Sequence, residues 1–175
     1  MNPAAAPKTP APTRNQILLA QVVWAVMILF VLVGIAWYGL SGEVLGRIWH
    51  NLIERPGGPM TFRFILQPIM ATAAAAMAGV RDARAGRSPY LWTILSNPAQ
   101  RVGRLQEGMV ATARIVLLGL VMDTIYQILV FETFHPGEAA LISLILAFFP
   151  YVLMRGPIAH LASWWFRRPS AGQGG

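Results

Sequence analysis

The chain contains no cysteine, which excludes disulfides, thiolate nucleophiles and Cys-ligated metals and leaves the compartment open. Charge is almost as scarce. Only 12% of the 175 residues are charged, against about 25% in a typical soluble domain, too few to coat an ordinary water-exposed surface. Lysine occurs once, at Lys8, so a phosphate loop, which needs a lysine after its glycines, is excluded. No serine stands in a nucleophile-elbow pattern. His50, His135 and His160 are scattered over separate segments, and no pair has metal-ligand spacing. These absences leave no catalytic residue, no metal site and no cofactor to assign, and the expectation is a non-enzymatic protein.

What the chain has is apolar length. Hydrophobic residues make up 55% of it, and spans of about 20 apolar residues are what a bilayer requires. The pattern predicts an all-α, helical integral membrane protein with four transmembrane helices and short interfacial helices. Residues 1–15 read as a disordered, Pro- and Ala-rich cytoplasmic tail. Residues 16–40 form span 1, 41–61 an outer link, 62–80 span 2, 81–108 an Arg-rich inner link, 109–131 span 3, 132–138 an outer turn and 139–155 span 4. Residues 156–175 then form an interfacial segment and a disordered tail. Span 1 is too long for the apolar core of a signal peptide and lacks a clean cleavage site after it, so it reads as a retained anchor.

Within the outer link, Val44, Leu45, Ile48, Trp49, Leu52 and Ile53 recur at helical spacing, with Glu43, Arg47, His50 and Glu54 on the other face. That suits a helix lying in the interface plane. Arg55-Pro56-Gly57-Gly58-Pro59 ends it. Span 2 is the weakest run, Ala-rich, with Pro68 inside. Within the inner link, Ser88-Pro89 opens a short helix through Leu95, with Tyr90 and Trp92 at headgroup level. Asn97-Pro98 opens another, since Asn caps free amides and Pro fits a first turn. Span 4 is expected to end near Arg155-Gly156-Pro157.

Positive charge marks the side of a membrane that stays cytoplasmic. The inner link holds Arg81, Arg84, Arg87, Arg101 and Arg104, whereas the turn between spans 3 and 4 holds Glu132 and Glu138 and no base. Both termini therefore face the cytoplasm, as in a multi-pass protein of a bacterial inner membrane. The formal charge of +7 invites a nucleic-acid reading. However, the arginines flank apolar runs instead of forming a stripe with interleaved aromatics. Anionic headgroups are the simpler partner, with Arg81, Arg84, Arg87, Arg101, Arg104, Arg167 and Arg168 as the contacts. Arg114, two turns into span 3, is expected to snorkel.

Asp123 is the costliest residue, because a carboxylate near a span centre costs about 2.5–3.5 kcal/mol on an insertion scale. Tyr126 and Gln127 lie beside it, and antiparallel pairing of spans 2 and 3 brings Arg63 and Gln67 to the same end. The candidate intramembrane polar cluster is therefore Arg63, Gln67, Asp123, Tyr126 and Gln127. It acts either as structural glue for the weak span 2 or as a proton- or ligand-binding position. Ala71, Ala75 and Gly79 in span 2, and Ala139, Ser143 and Ala147 in span 4, are small-residue ribbons that let helices approach closely. The second ribbon would serve the bundle or a homodimer.

Three stretches, Phe62-Arg63-Phe64-Ile65-Leu66-Gln67-Pro68, Arg81-Asp82-Ala83-Arg84-Ala85-Gly86-Arg87 and Asp123-Thr124-Ile125-Tyr126-Gln127, carry a further signal. Pro136-Gly137-Glu138-Ala139 and Pro150-Tyr151 followed by Arg155-Gly156-Pro157 complete it. Over Phe62 to about Leu161 the chain resembles a family of small, uncharacterised bacterial inner-membrane proteins. The resemblance covers a little over half of the chain, leaves span 1 as an added anchor, supplies no substrate and implies that span 2 is a genuine element. The leading expectation for function is an assembly or accessory component, partnered with itself or with another membrane protein. The alternative is a small transporter or proton-coupled component using Asp123. Orientation is directly checkable: alkaline phosphatase fused at Gly175 is expected to be inactive and a fluorescent protein fused there to be bright, and full phosphatase activity refutes it.

Overall fold

In the computed structural model of the chain, residues 11–39, 41–54 and 61–167 are described, apart from the side chains of 51, 52, 54, 131 and 167. Six α-helices fill them, α1 (Arg14–Tyr38), α2 (Gly42–Glu54), α3 (Phe62–Arg84), α4 (Tyr90–Ser96), α5 (Pro98–Tyr126) and α6 (Pro136–Arg167). Among the described residues there is no strand. Four helices (α1, α3, α5 with its continuation, and α6) are long and apolar enough to cross a membrane. The architecture is that of an all-α helical membrane protein.

Local chemistry sets the helix starts. Thr13 and Gln16 form a reciprocal cap at α1: the Thr13 amide donates to Gln16 Oε1 at 2.9 Å and the Gln16 amide to Thr13 Oγ1 at 3.4 Å. Two otherwise orphaned amides are thereby satisfied. Asn97 caps α5, its Oδ1 accepting from the Gln100 amide, with Pro98 in the first turn. The far end of α5 widens into a π-helical turn, Gln127–Phe131, and Glu132 after it has φ 53°.

The long helices pack around α6. Helix α3 makes its most extensive contact with α6, and α1 packs on α5 and α6 while barely meeting α3. The α3–α6 contact is close because it is built from small residues: Ala71, Ala75, Ala139, Ala140, Ser143 and Ala147 are fully buried. At Gly79 the backbones nearly touch, and a Cβ built there lies 2.9 Å from the Arg155 carbonyl oxygen and 3.0 Å from the Ala159 nitrogen. Gly34 of α1 meets Gly137 of α6 in the same way, at 2.7 Å. Trp24 is tied to the bundle, its indole N–H donating to the Met109 carbonyl at 3.2 Å and its ring standing edge-on to Phe148.

Helix α6 departs from expectation. Span 4 does not end at Arg155-Gly156-Pro157, and residues 158–165 do not form a separate helix. Instead α6 is continuous for 32 residues with Pro150 and Pro157 inside it. At 1.5 Å per residue it is about 48 Å long, well beyond a hydrocarbon core of about 30 Å. Tertiary contacts outweigh the local proline penalty. Arg155 is anchored to α3, Ala159 packs over Gly79, and Arg84 lies over the Phe166 ring at 5.4 Å. Span 1 likewise starts two residues before the expected Gln16, and α3 runs to Arg84, past the expected end at Val80. Helix α2 leaves Leu45, Trp49 and Ile53 uncovered, so the bundle does not bury its apolar face.

Two glycine substitutions test the close approach with opposite signs. Gly79→Ala is expected to destabilise the purified chain by about 1–3 kcal/mol, the usual cost of overpacking. Gly103 of α5 has open space around it, so Gly103→Ala is expected to stabilise by about 0.5–1 kcal/mol. Denaturant unfolding in detergent measures both.

Candidate functional site

Two polar layers lie at opposite ends of the bundle. Nineteen residues separate Arg63 from Asp82 on α3, and nineteen separate Arg104 from Asp123 on the antiparallel α5. At 1.5 Å per residue the layers are about 28 Å apart, close to the thickness of a bilayer core. Equal spacing on antiparallel helices makes Arg63 meet Asp123 and Asp82 meet Arg104 in one register.

In the first layer an Arg63 guanidinium nitrogen lies 2.5 Å from Asp123 Oδ1, both side chains fully or almost fully buried. Gln127 Nε2 donates to Asp123 Oδ2 at 2.7 Å, and Gln127 Oε1 accepts from the His135 amide at 2.6 Å. The carboxylate is thus held by two helices, and Gln127, at the start of the π turn, ties the connection to α6 onto it. Tyr38 closes the same end, donating to the Phe134 carbonyl at 2.8 Å and stacking on His135, while Arg47 of α2 lies 5.3 Å from its ring. Tyr126 is buried beside the pair. Gln67 departs from the expected cluster: its amide nitrogen points to the carbonyls of Ile115 and Ser143, at 3.4 and 3.5 Å. One turn below Arg63, it fills the space left by the missing side chain of Gly119, whose built Cβ would lie 2.1 Å from Gln67 Nε2.

The second layer is larger, and the spacing of apolar and charged residues in the sequence does not reveal it. Arg155 of α6 grips Asp82 of α3 with two donors, Nε to Oδ2 at 2.8 Å and Nη2 to Oδ1 at 3.2 Å. Nη2 also donates to Glu107 Oε2 at 2.8 Å, and Nη1 donates to the Tyr151 hydroxyl at 2.9 Å. Its guanidinium stands 4.2 Å from the Tyr90 ring centroid. Arg104 of α5 donates to Asp82 Oδ1 at 3.0 Å, to Glu107 Oε2 at 3.3 Å and to the Ser88 carbonyl at 2.9 Å. Arg87 adds a 3.1 Å contact to Glu107. A planar guanidinium suits this forked recognition in a way an ammonium does not. Tyr90, fully buried, donates to the Arg104 carbonyl at 2.8 Å. Burial, reinforced by nearby Tyr151, pushes its phenol above the usual range, so it stays protonated and remains a donor.

This layer corrects two expectations. Arg104 does not face lipid phosphate: it is buried against Asp82, because the helix that opens at Asn97 turns that position inward. Tyr90 is not at the headgroup surface, whereas its neighbour Trp92 is exposed. Arg101 caps α4, donating to the Ile94 and Leu95 carbonyls at 2.7 and 3.3 Å. Arg81, Arg84 and Arg87 are on the exposed surface, and the Arg167 side chain and Arg168 lie outside the described residues. Asp82 carried a readable signal, as an acid inside an Arg-rich segment at the end of an apolar run. Arg155 and Glu107 had none until α6 placed them together.

Among the described residues no group of His, Asp and Glu is arranged to hold a metal ion. Comparison with protein-family models, curated proteins and solved structures gave no match.

Removing Asp82 leaves two buried guanidinium groups without their shared carboxylate. Asp82→Ala is expected to cost about 3–5 kcal/mol, as for other broken buried pairs, and to deplete folded protein. Arg84→Ala loses only an exposed ring contact and is expected to cost less than about 1 kcal/mol. Melting of both variants in detergent, against wild type, measures the contrast.

Proposed function

We propose that the chain is a small, non-enzymatic component of a bacterial inner membrane, with both termini cytoplasmic, that assembles with itself or with another membrane protein. It would belong with the small inner-membrane proteins that residues 62–161 resemble. The observation that supports this reading is the way the charges are used. Asp82, Glu107 and Asp123 are each paired with arginine, and Asp82 and Asp123 are buried. A proton carrier needs a carboxylate that gains and loses a proton through the cycle. Asp123 instead bridges Arg63 and Gln127, which supports a fixed pairing of α3 with α5. The Arg-rich end, with Arg81, Arg84 and Arg87 exposed, supports the cytoplasmic assignment through the positive-inside rule.

The transporter reading makes a different prediction. For an assembly component, Asp123→Asn and Arg63→Ala are each expected to lower the melting temperature, and any phenotype is expected to follow protein abundance. Proton flux into proteoliposomes that depends on the wild-type chain and vanishes in Asp123→Asn at unchanged abundance overturns the proposal. Cross-linking in native membranes before extraction is expected to trap a homo-oligomer or a complex of fixed stoichiometry.

A further inference from the structure

A cavity of about 580 Å³ opens at the Arg-rich end of the bundle. Its walls are Gln16 and Leu19 of α1 and Met77 and Arg81 of α3, and its floor comes from α5 and α6. Because α1 packs on α5 and α6 and barely on α3, the two walls do not close on each other. On α5, Glu107, Val110, Ala111 and Arg114 line it. Their spacing of three, four and seven residues puts them on one helical face. The volume falls within the roughly 300–1,000 Å³ of small-molecule sites.

The cavity holds more base than acid. Arg81, Arg87, Arg114 and Arg155 line it with Asp82 and Glu107. Both carboxylates are already engaged: Asp82 by Arg104 and Arg155, Glu107 by Arg87, Arg104 and Arg155. Two guanidinium groups remain without an acid. Arg81 donates only to the Met77 carbonyl of its own helix, and Arg114 makes no hydrogen bond or ion pair with the described residues. Arg114 stands ten residues beyond Arg104 on α5, about 15 Å deeper along the axis, where an unpaired charge is expensive. The apolar side chains of Leu19, Met77 and Val110 stand in the same cavity. Phosphate-binding donors therefore meet a hydrophobic wall in a cleft that opens between two lipid-facing helices.

We propose that this cavity binds the phosphate of a single anionic membrane lipid, through Arg81 and Arg114, with its acyl chains leaving through the cleft between α1 and α3. The chemistry recognised is a phosphate anion with no cationic group attached to it, as in phosphatidylglycerol and unlike phosphatidylcholine, and a free anion also offers it. The apolar wall and lateral opening favour the lipid. This site is separate from diffuse headgroup attraction at the bundle surface, and it rests on membrane embedding alone, not on the assembly role proposed above.

The test uses the full chain purified in mild detergent, with phosphatidylglycerol, phosphatidylcholine or sodium phosphate added, read by native mass spectrometry. One phosphatidylglycerol is expected to be retained per chain, with phosphatidylcholine not retained. The Arg81→Gln/Arg114→Gln double variant is expected to weaken retention by about tenfold or more, as loss of two charge-assisted contacts implies. Arg84→Gln, on the same end but outside the cavity, is expected to leave retention unchanged. Equal retention of the two lipids, or retention indifferent to the double variant, overturns the site. Displacement of phosphatidylglycerol by sodium phosphate at equal concentration shows a free-anion site and overturns the lipid assignment. Should the double variant fail to fold, the wild-type melting temperature decides: it rises with phosphatidylglycerol above its value with phosphatidylcholine or sodium phosphate, or the proposal fails.

Discussion

Guanidinium–carboxylate pairing across α3 holds this bundle in register. Helix α3 carries one partner at each end, Arg63 and Asp82, and each meets its opposite charge on α5 or α6. A weakly apolar, Ala-rich helix has little to gain from lipid-like packing alone, because lipid tails solvate apolar side chains as well as a neighbouring helix does. The ion pairs supply what apolar contact does not. A shift of α3 by one turn would leave charges in a medium that cannot solvate them, so the alternative registers are excluded by cost.

Small residues make that pairing possible. Arg155 reaches Asp82 because Gly79 and the buried alanines let α6 approach α3 to backbone contact. Once α6 is that close, its own prolines no longer decide where it ends, since both sides of Pro157 are fixed by contacts with α3. Tyr90 and Tyr151 then pack around the Arg155 guanidinium, replacing part of its hydration with ring faces and a hydroxyl. The Arg-rich end is therefore two things at once. Arg104 and Arg155 are neutralised within the bundle, whereas Arg84 is exposed and Arg81 and Arg114 line the cavity without an acid.

Much of the first layer was legible because expensive residues advertise themselves. An aspartate in an apolar run requires a partner, and antiparallel neighbours with Arg63 at the matching depth supply one. Depth along the axis alone puts Gln67 near Asp123, but rotation around α3 carries its side chain toward the backbone of α5 and α6 instead. In the Arg-rich link, composition misled in a specific way. Arginines between spans look alike in sequence, but Arg87 reaches Glu107 from the exposed surface, and helix phase decides which of the helical ones is buried against Asp82. Arg104 is buried there and Arg81 is not.

The sequence by itself determined the class of solvent, the number of long apolar helices and the need to pair Asp123, because each follows from composition and from the cost of charge in hydrocarbon. Tertiary structure alone decided which arginine pairs with which acid, that α6 continues through Pro150 and Pro157, and that α1 and α3 stand apart. Those outcomes depend on helix rotation and on approach distances of a few ångströms, and neither is encoded in any single segment of the chain.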